Sequence, residues 1–530
     1  MAAFWLLFCC VAVLSVALAF TSKLTSRVEA FVVRKLRRGK SAAVSAEAKK
    51  SLRGPKPFPV IGSLHKLDNP GGPFKAFTTM AKQYGDIYEI QLGVCKCVVV
   101  SSYSLAKEVL IAKGSHFGGR PDFLRFHQLF GGDRNNSLAL CDWSDLQRKR
   151  RSIARSFCSP RGGSSQLSEL SRVAVDEMRR FHELLNADAA IREGQSPVKP
   201  LILTAIGNMF TQYMCSTRFG YEDDQFNKVV RTFDEIFWDI NQGYAVDFLP
   251  WLKILYTGHL NRMNEWADYI RSFILKEIIE PRRATLDLET GVPRDFTDAL
   301  LFYLESDQPE LSWQHILFEL EDFLGGHSAI GNLVMMVLSN VVSHPGVQRR
   351  IQQECDDVLR DKLLPRGVEH ITLDERQDLP YTEATIWETL RVSSSPIVPH
   401  VSTCDTDIAG YSVAKDTVVF VNNYDLNLGE SYWGADAKQF RPERFVKQVA
   451  GVSRVVRPEH FVPFSTGKRT CIGQRLVQGF AFVMVTSLLS KFDVSTPPGV
   501  DVAQFIKPSC VAVPPDCFHL TFTPRDTSRK

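Results

Sequence analysis

From Ser312 to Ser343 the chain reads as one helical pattern, stopped by His344-Pro345-Gly346, since the residue before a proline is pushed out of the helical region. About 32 residues at about 1.5 Å each would span about 48 Å, enough to cross a large domain. A chain built round such an element is expected to be mainly α with small β-sheets. Phe323 to Val342 carries no formal charge and would by length suit a membrane span, but His327, Asn332 and Asn340 within it, and Glu319, Glu321 and Asp322 before it, favour a buried central helix. Gly325-Gly326 costs the helix about 1 kcal/mol per glycine relative to alanine, so a backbone that must come close to something is the expected reason for the pair.

Most of residues 140–395 reads as helix, with short β-like runs at Ile87–Leu92, Cys97–Val100 and Thr417–Val421. No internal repeat or low-complexity segment occurs from residue 55 on, and residues 63–530 read as one catalytic domain. With 63 Lys and Arg against 59 Asp and Glu, the net charge of +4 argues against a nucleic-acid partner. The 12 cysteines are scattered without a Cys-x-x-Cys pair, so neither a disulfide framework nor a zinc site is signalled, and a reducing compartment is expected.

Residues 1–22 hold an uncharged apolar run from Ala2 to Phe20, long enough to cross a bilayer. Lys23, Arg27, Arg34, Lys35, Arg37, Arg38 and Lys40 follow it against a single Glu29, which places the rest of the chain on the cytosolic side. Ala17-Leu18-Ala19 resembles a cleavage site, but no basic residue precedes the run, so a signal-anchor is preferred to a cleaved signal. Residues 23–62 are then a basic and proline-rich linker, with Pro55, Pro57, Pro59 and Gly62 unable to continue a helix.

Near the carboxyl end stands Phe464-Ser465-Thr466-Gly467-Lys468-Arg469-Thr470-Cys471-Ile472-Gly473, just ahead of an apolar helical run from Leu476 to Leu489. A thiolate there is favoured by the positive helix end and nearby backbone N–H groups, which makes Cys471 a good ligand. Gly467 and Gly473 permit tight turns, Arg469 can pair with a carboxylate, and Phe464 can shield the sulfur. The other eleven cysteines read as small hydrophobes. The Arg148-Lys149-Arg150-Arg151 run would suit an acidic electron-transfer partner, although such runs are usually solvated faces.

The Cys471 stretch resembles the haem-ligand signature of the cytochrome P450 superfamily, Phe-x-x-Gly-x-Arg-x-Cys-x-Gly, at all five fixed positions. Glu388-Thr389-Leu390-Arg391, in a helix opening near Leu379-Pro380-Tyr381, resembles the family's Glu-x-x-Arg pair, whose third member would be Arg444. The resemblance implies the P450 fold behind an amino-terminal transmembrane helix, haem b as cofactor, and Cys471 as the metal ligand that pushes electron density onto the iron. It also implies NADPH–cytochrome P450 reductase as partner, and a single-pass location in the endoplasmic reticulum membrane with the catalytic domain cytosolic. By position, Arg120, His400 and Arg469 resemble the partners of the haem carboxylates. Trp143 is a further candidate, but the family's Trp-x-x-x-Arg meets Gln147 here, leaving Arg148, one place on, as the substitute.

In the long helix the family usually shows Ala/Gly-Gly-x-Asp/Glu-Thr, whose acid and alcohol relay protons. Gly325-Gly326-His327-Ser328-Ala329 keeps the glycines and loses both, so Gly326, His327 and Ser328, or water, are the candidates for that role, with a structural histidine the competing reading. The run from Phe318 to Ala329 resembles the Spook group of arthropod enzymes in ecdysteroid hormone synthesis, which implies a sterol of the 7-dehydrocholesterol type as substrate in the pathway's early steps. Phe123, Phe126, Phe130, Phe248 and Trp251 are either walls of a sterol-sized pocket or core. The expected function is therefore a haem-thiolate monooxygenase. The rivals are an isomerase or dehydratase that uses the same haem without external electrons, and a haem-binding sensor or carrier.

Overall fold

The computed structural model describes residues 51–69, 72–287, 291–305, 311–501, 510–514, 517 and 519–526. The anchor expected in residues 1–22 lies outside them, as does the basic tract up to residue 50. Among the described residues no single helix is long and apolar enough to cross a membrane.

The sheet forms where apolar residues alternate or run on. β1 (Ile87–Leu92) buries Tyr88, Ile90 and Leu92 at a period of two and pairs antiparallel with β2 (Cys95–Val100). β2 starts two residues earlier than the sequence suggests. Its Cys97–Val100 stretch is buried on both faces because β2 is a central strand, with β4 (Val418–Val421) parallel beside it and β3 (His400–Val401) on the far side of β4. The proline stretch is not free of the body: Glu89 N donates to Arg53 O at 2.9 Å and Gly93 N to Ile61 O at 3.1 Å, so residues 53–63 lie along β1.

The helical bulk surrounds one core. α1 (Asp145–Cys158) is capped by Ser144, whose hydroxyl accepts from Gln147 N, and α2 (Ser165–Ala187) and α3 (Lys199–Cys215) follow. α3 is apolar nearly all round, the pattern of a helix buried on every side. α4 (Asp224–Ile240) covers it, and α7 (Pro380–Ser393) and α8 (Gln474–Lys491) complete the packing.

The long helix covers the expected residues with one interruption, at Gly325. It consists of α5 (Trp313–Leu324), opened by a capping box between Ser312 and His315, and α6 (Gly326–Ser343), with Gly325 outside both. A Cβ on Gly325 would stand 3.2 Å from the Phe233 ring of α4, and one on Gly326 would stand 3.4 Å from the Phe210 ring of α3. The glycines thus admit aromatic rings of neighbouring helices at the point where the helix breaks.

A candidate cofactor cradle around Cys471

The Cys471 loop is shaped by two residues with positive φ, Ser465 at 58° and Gly467 at 74°. Gly467 is required twice over, because a Cβ there would fall 2.0 Å from Leu110 O. Cys471 N donates to Phe464 O at 2.9 Å and closes the loop, and the Phe464 ring meets Trp387 edge-on at 6.0 Å. Cys471 is an exposed residue, yet burial of its surroundings pushes its thiol up. The backbone N–H groups of Gly473 and Gln474 and the Arg151 guanidinium work the other way and favour the thiolate a metal requires.

The cations gather beside it from distant parts of the chain. A backbone bridge between Gly119 and Val401 sets Arg120 next to His400. Arg120 Nη1 donates to Val398 O and Pro399 O at 3.0 and 3.1 Å, and its Nε to Ala139 O at 3.2 Å. Arg469 donates to Cys141 O, and its Nε and Nη1 are buried without a hydrogen-bond partner among the described residues. Trp143 joins through the Lys468 ammonium, 4.8 Å from its ring centroid, and the Arg469 guanidinium at 6.0 Å. Burial, then repulsion from Arg469 and Arg151, holds Arg120 well below the ordinary guanidinium range. Burial and Arg469 likewise push Arg151 down to about 10.

His400 is 2% exposed and sits with Nδ1 2.7 Å from Phe117 O, leaving Nε2 without a partner. Burial, followed by Arg120, pulls its pKa well down. Buried arginines with unused donors suit an anionic partner, and the exposed Cys471 lies in the adjoining loop. This donor set fits the haem that the resemblance implies, with Cys471 toward the iron and the cations toward the two propionates.

The structure does not bring Arg148 to the cradle. Its side chain is 69% exposed and pairs with Asp145 at 2.7 Å. The Ser144 cap fixes the phase of α1 so that Gln147, Arg150, Arg151, Ala154 and Cys158 face inward. Gln147 donates to Leu138 O, and Arg151, which donates to Thr470 O, is the cation that reaches the loop. The Arg148–Arg151 run is therefore half interior, not a solvated face. The helical spacing of 147, 151, 154 and 158 is the signal that would have found Arg151.

Below the loop the Glu-x-x-Arg pair is assembled as expected. Glu388 and Arg391 are fully buried, Arg391 donates twice to the Glu388 carboxylate at 2.6 and 2.7 Å, and Arg444 Nε donates to it at 3.0 Å. Arg391 also holds three backbone carbonyls, of Asn427, Ala437 and Gln439, which ties the segment ahead of the Cys471 loop to α7.

Between Phe318 and Ser339 the partly accessible positions are Asp322, Gly325, Gly326 and Ala329, one face at helical spacing. His327 and Ser328 are turned away from it. His327 is 2% exposed, its Nδ1 lies 2.6 Å from Leu324 O, and its ring meets Phe233 edge-on at 5.4 Å in a small cavity between α3, α4 and α6. Ser328 Oγ is 3.5 Å from His327 Nε2. Of the expected pocket residues, Phe123, Phe126 and Phe248 form one aromatic cluster, with ring centroids 5.2 and 5.3 Å apart, and Phe130 packs on Phe318. Trp251 is 49% exposed, on the surface rather than in the core.

Comparison with known proteins agrees with this geometry. The family model described as cytochrome P450 matches residues 52–522. Cytochrome P450 307a1 of Drosophila melanogaster is 46% identical over 493 residues, 89% of each chain. Cytochrome P450 1A1 of Mesocricetus auratus is 29% identical over 478 residues, 87% of this chain and 88% of the relative.

Proposed function

Because the chain belongs to the cytochrome P450 family and is a haem b monooxygenase, we propose that it oxidises a sterol of the 7-dehydrocholesterol type in the early steps of ecdysteroid synthesis. In this reading it receives electrons from NADPH–cytochrome P450 reductase while anchored by residues 1–22 in the endoplasmic reticulum membrane. The observation that carries the substrate class is the Phe318–Ala329 run, which keeps the glycine pair and replaces the usual acid and threonine by Ser328 and Ala329. The 46% identity to the Drosophila relative supports it.

When bound, haem supplies activation of molecular oxygen and its insertion into a C–H bond. Within this reading Cys471 holds the iron, and Arg120, Arg151, His400 and Arg469, with Trp143 beside them, neutralise and orient the propionates. Phe464, braced on Trp387, would support the loop that presents the sulfur. Gly325, Gly326 and Ala329, with no bulky side chain, would leave their helix face open to substrate. Ala329 has no proton to give, and the inward-turned His327 and Ser328 reach that face only through water or a rotamer change.

The membrane assignment is supported by an apolar surface where the described chain begins. Phe58, Val94, Trp251, Ile254 and Leu255 are 57, 56, 49, 84 and 70% exposed. Backbone bonds from Gly93 to Ile61 and from Val94 to Phe248 join the segments that carry them. Purified protein with reductase, NADPH and 7-dehydrocholesterol, followed by mass spectrometry, tests the substrate. An oxidised sterol is expected, and an unchanged sterol beside an intact reduced carbon-monoxide spectrum would reject it. Ala329 also favours a second reading, an isomerase or dehydratase, which predicts product without NADPH consumption.

A further inference from the structure

The acids ahead of the glycine pair are used by neither the fold's core nor the site described above. Glu319 is fully buried on α5, and its Oε2 accepts from Arg150 Nε at 3.0 Å, with Arg150 itself 1% exposed. Asp322 accepts from Ser137 Oγ at 3.2 Å and from Leu138 N. Both therefore end on one short loop, residues 136–142, since Arg150 Nη2 also donates to Asn136 O at 2.9 Å.

The other side of that loop is what the cradle's arginines hold. Arg120 Nε donates to Ala139 O and Arg469 Nη2 to Cys141 O, while Gln147 takes Leu138 O. Each guanidinium thus has a hydrogen bond to the loop, and two carboxylates of α5 are among the groups that hold the loop. Gln147 stands where the family has an arginine, and two of the cradle's other cations, Arg120 and Arg469, lean on a loop secured from α5.

We propose that Glu319 and Asp322 are positioning residues for haem: through Arg150 and the 136–142 loop they keep Arg120 and Arg469 aligned with the propionates. This rests on the cradle reading above, and Arg120→Met separates the two. The test is the rate at which full-chain holoprotein releases haem to excess apomyoglobin at pH 7.4 and fixed salt, with the reduced carbon-monoxide band used to count loaded sites. Glu319→Gln and Asp322→Ala should each speed release about tenfold, the size of a lost charge-assisted bond.

The control is Glu321→Gln, which removes a buried carboxyl one residue away whose partner is Arg271 at 3.4 Å, outside the loop. It should stay within about twofold of the parent, because a merely structural acid affects folding and not haem retention. Where Glu319→Gln yields no holoprotein, Arg150→Met with Glu319→Leu, which strands no charge, carries the same expectation. Parent-like release from Glu319→Gln or the double variant and from Asp322→Ala, or equal acceleration by Glu321→Gln, overturns the proposal. Parent-like release from Arg120→Met overturns the cradle reading instead.

Discussion

The Cys471 N–H donates to the Phe464 carbonyl at 2.9 Å, and the Phe464 ring meets Trp387 edge-on at 6.0 Å. One residue therefore both closes the turn that presents the sulfur and braces it on α7. Cys471→Ala should keep the loop and abolish the thiolate-type Soret band of the reduced carbon-monoxide complex, since no other residue of that loop carries sulfur. Persistence of the band would remove Cys471 from the site.

Arg151 and Arg148 differ by three positions and by everything that matters for an anion. Arg151→Leu should weaken haem retention by about 1.5–3 kcal/mol, roughly ten- to a hundredfold in release rate, whereas Arg148→Leu should change it by less than about twofold. Equal effects of the two, read by haem transfer, would contradict the inward phase of α1.

How far the sequence reaches is visible in this same helix. The Cys471 loop, the Glu388–Arg391 pair, β1 and the opening of α7 at Pro380 were all legible, because each rests on local chemistry: turn glycines, an i, i+3 pair, alternation, a proline at the first helical turn. Arg148 against Arg151 was misread because four basic residues in a row hide the period, and only the Ser144 cap sets which of them turn inward. The rings that pack on Gly325 and Gly326 were not legible, since Phe233 and Phe210 lie about 90 to 120 residues away in sequence. Nor was the 136–142 loop, whose partners come from α1, α5 and the Cys471 loop.

Burial raises Glu319 to about 7, Glu321 to about 8 and Asp322 to about 6. Between the ordinary carboxylate range and about pH 8 the folded chain therefore holds protons that the unfolded chain has released, and stability falls as pH rises. The histidines pulled down by burial, His182, His327 and His400 among them, oppose this, with an effect that fades as pH rises past about 6.5, the unfolded histidine value. From pH 7 to pH 8 the carboxyls, Glu321 above all, outweigh that remainder, so Tm should drop by on the order of a degree, and less so in Glu321→Gln. A Tm that rises over this interval would contradict the buried acids.

Removing residues 1–22 should weaken attachment to vesicles while leaving the reduced carbon-monoxide spectrum intact, since the described body begins beyond them. The residual attachment should depend on the exposed apolar surface, so Ile254→Glu with Leu255→Glu in the truncated chain should abolish it in a vesicle flotation assay. Full attachment of that variant would mean that the surface faces something other than lipid.

A monooxygenase of this kind must move oxygen from the air into its sterol. Purified protein with reductase, NADPH and 7-dehydrocholesterol under labelled dioxygen should yield a sterol product carrying one labelled oxygen for each oxidation that retains it, with NADPH consumed only when sterol and reductase are both present. A product formed at the same rate without dioxygen or NADPH, and free of label, would contradict monooxygenation of the sterol and leave the isomerase reading in its place.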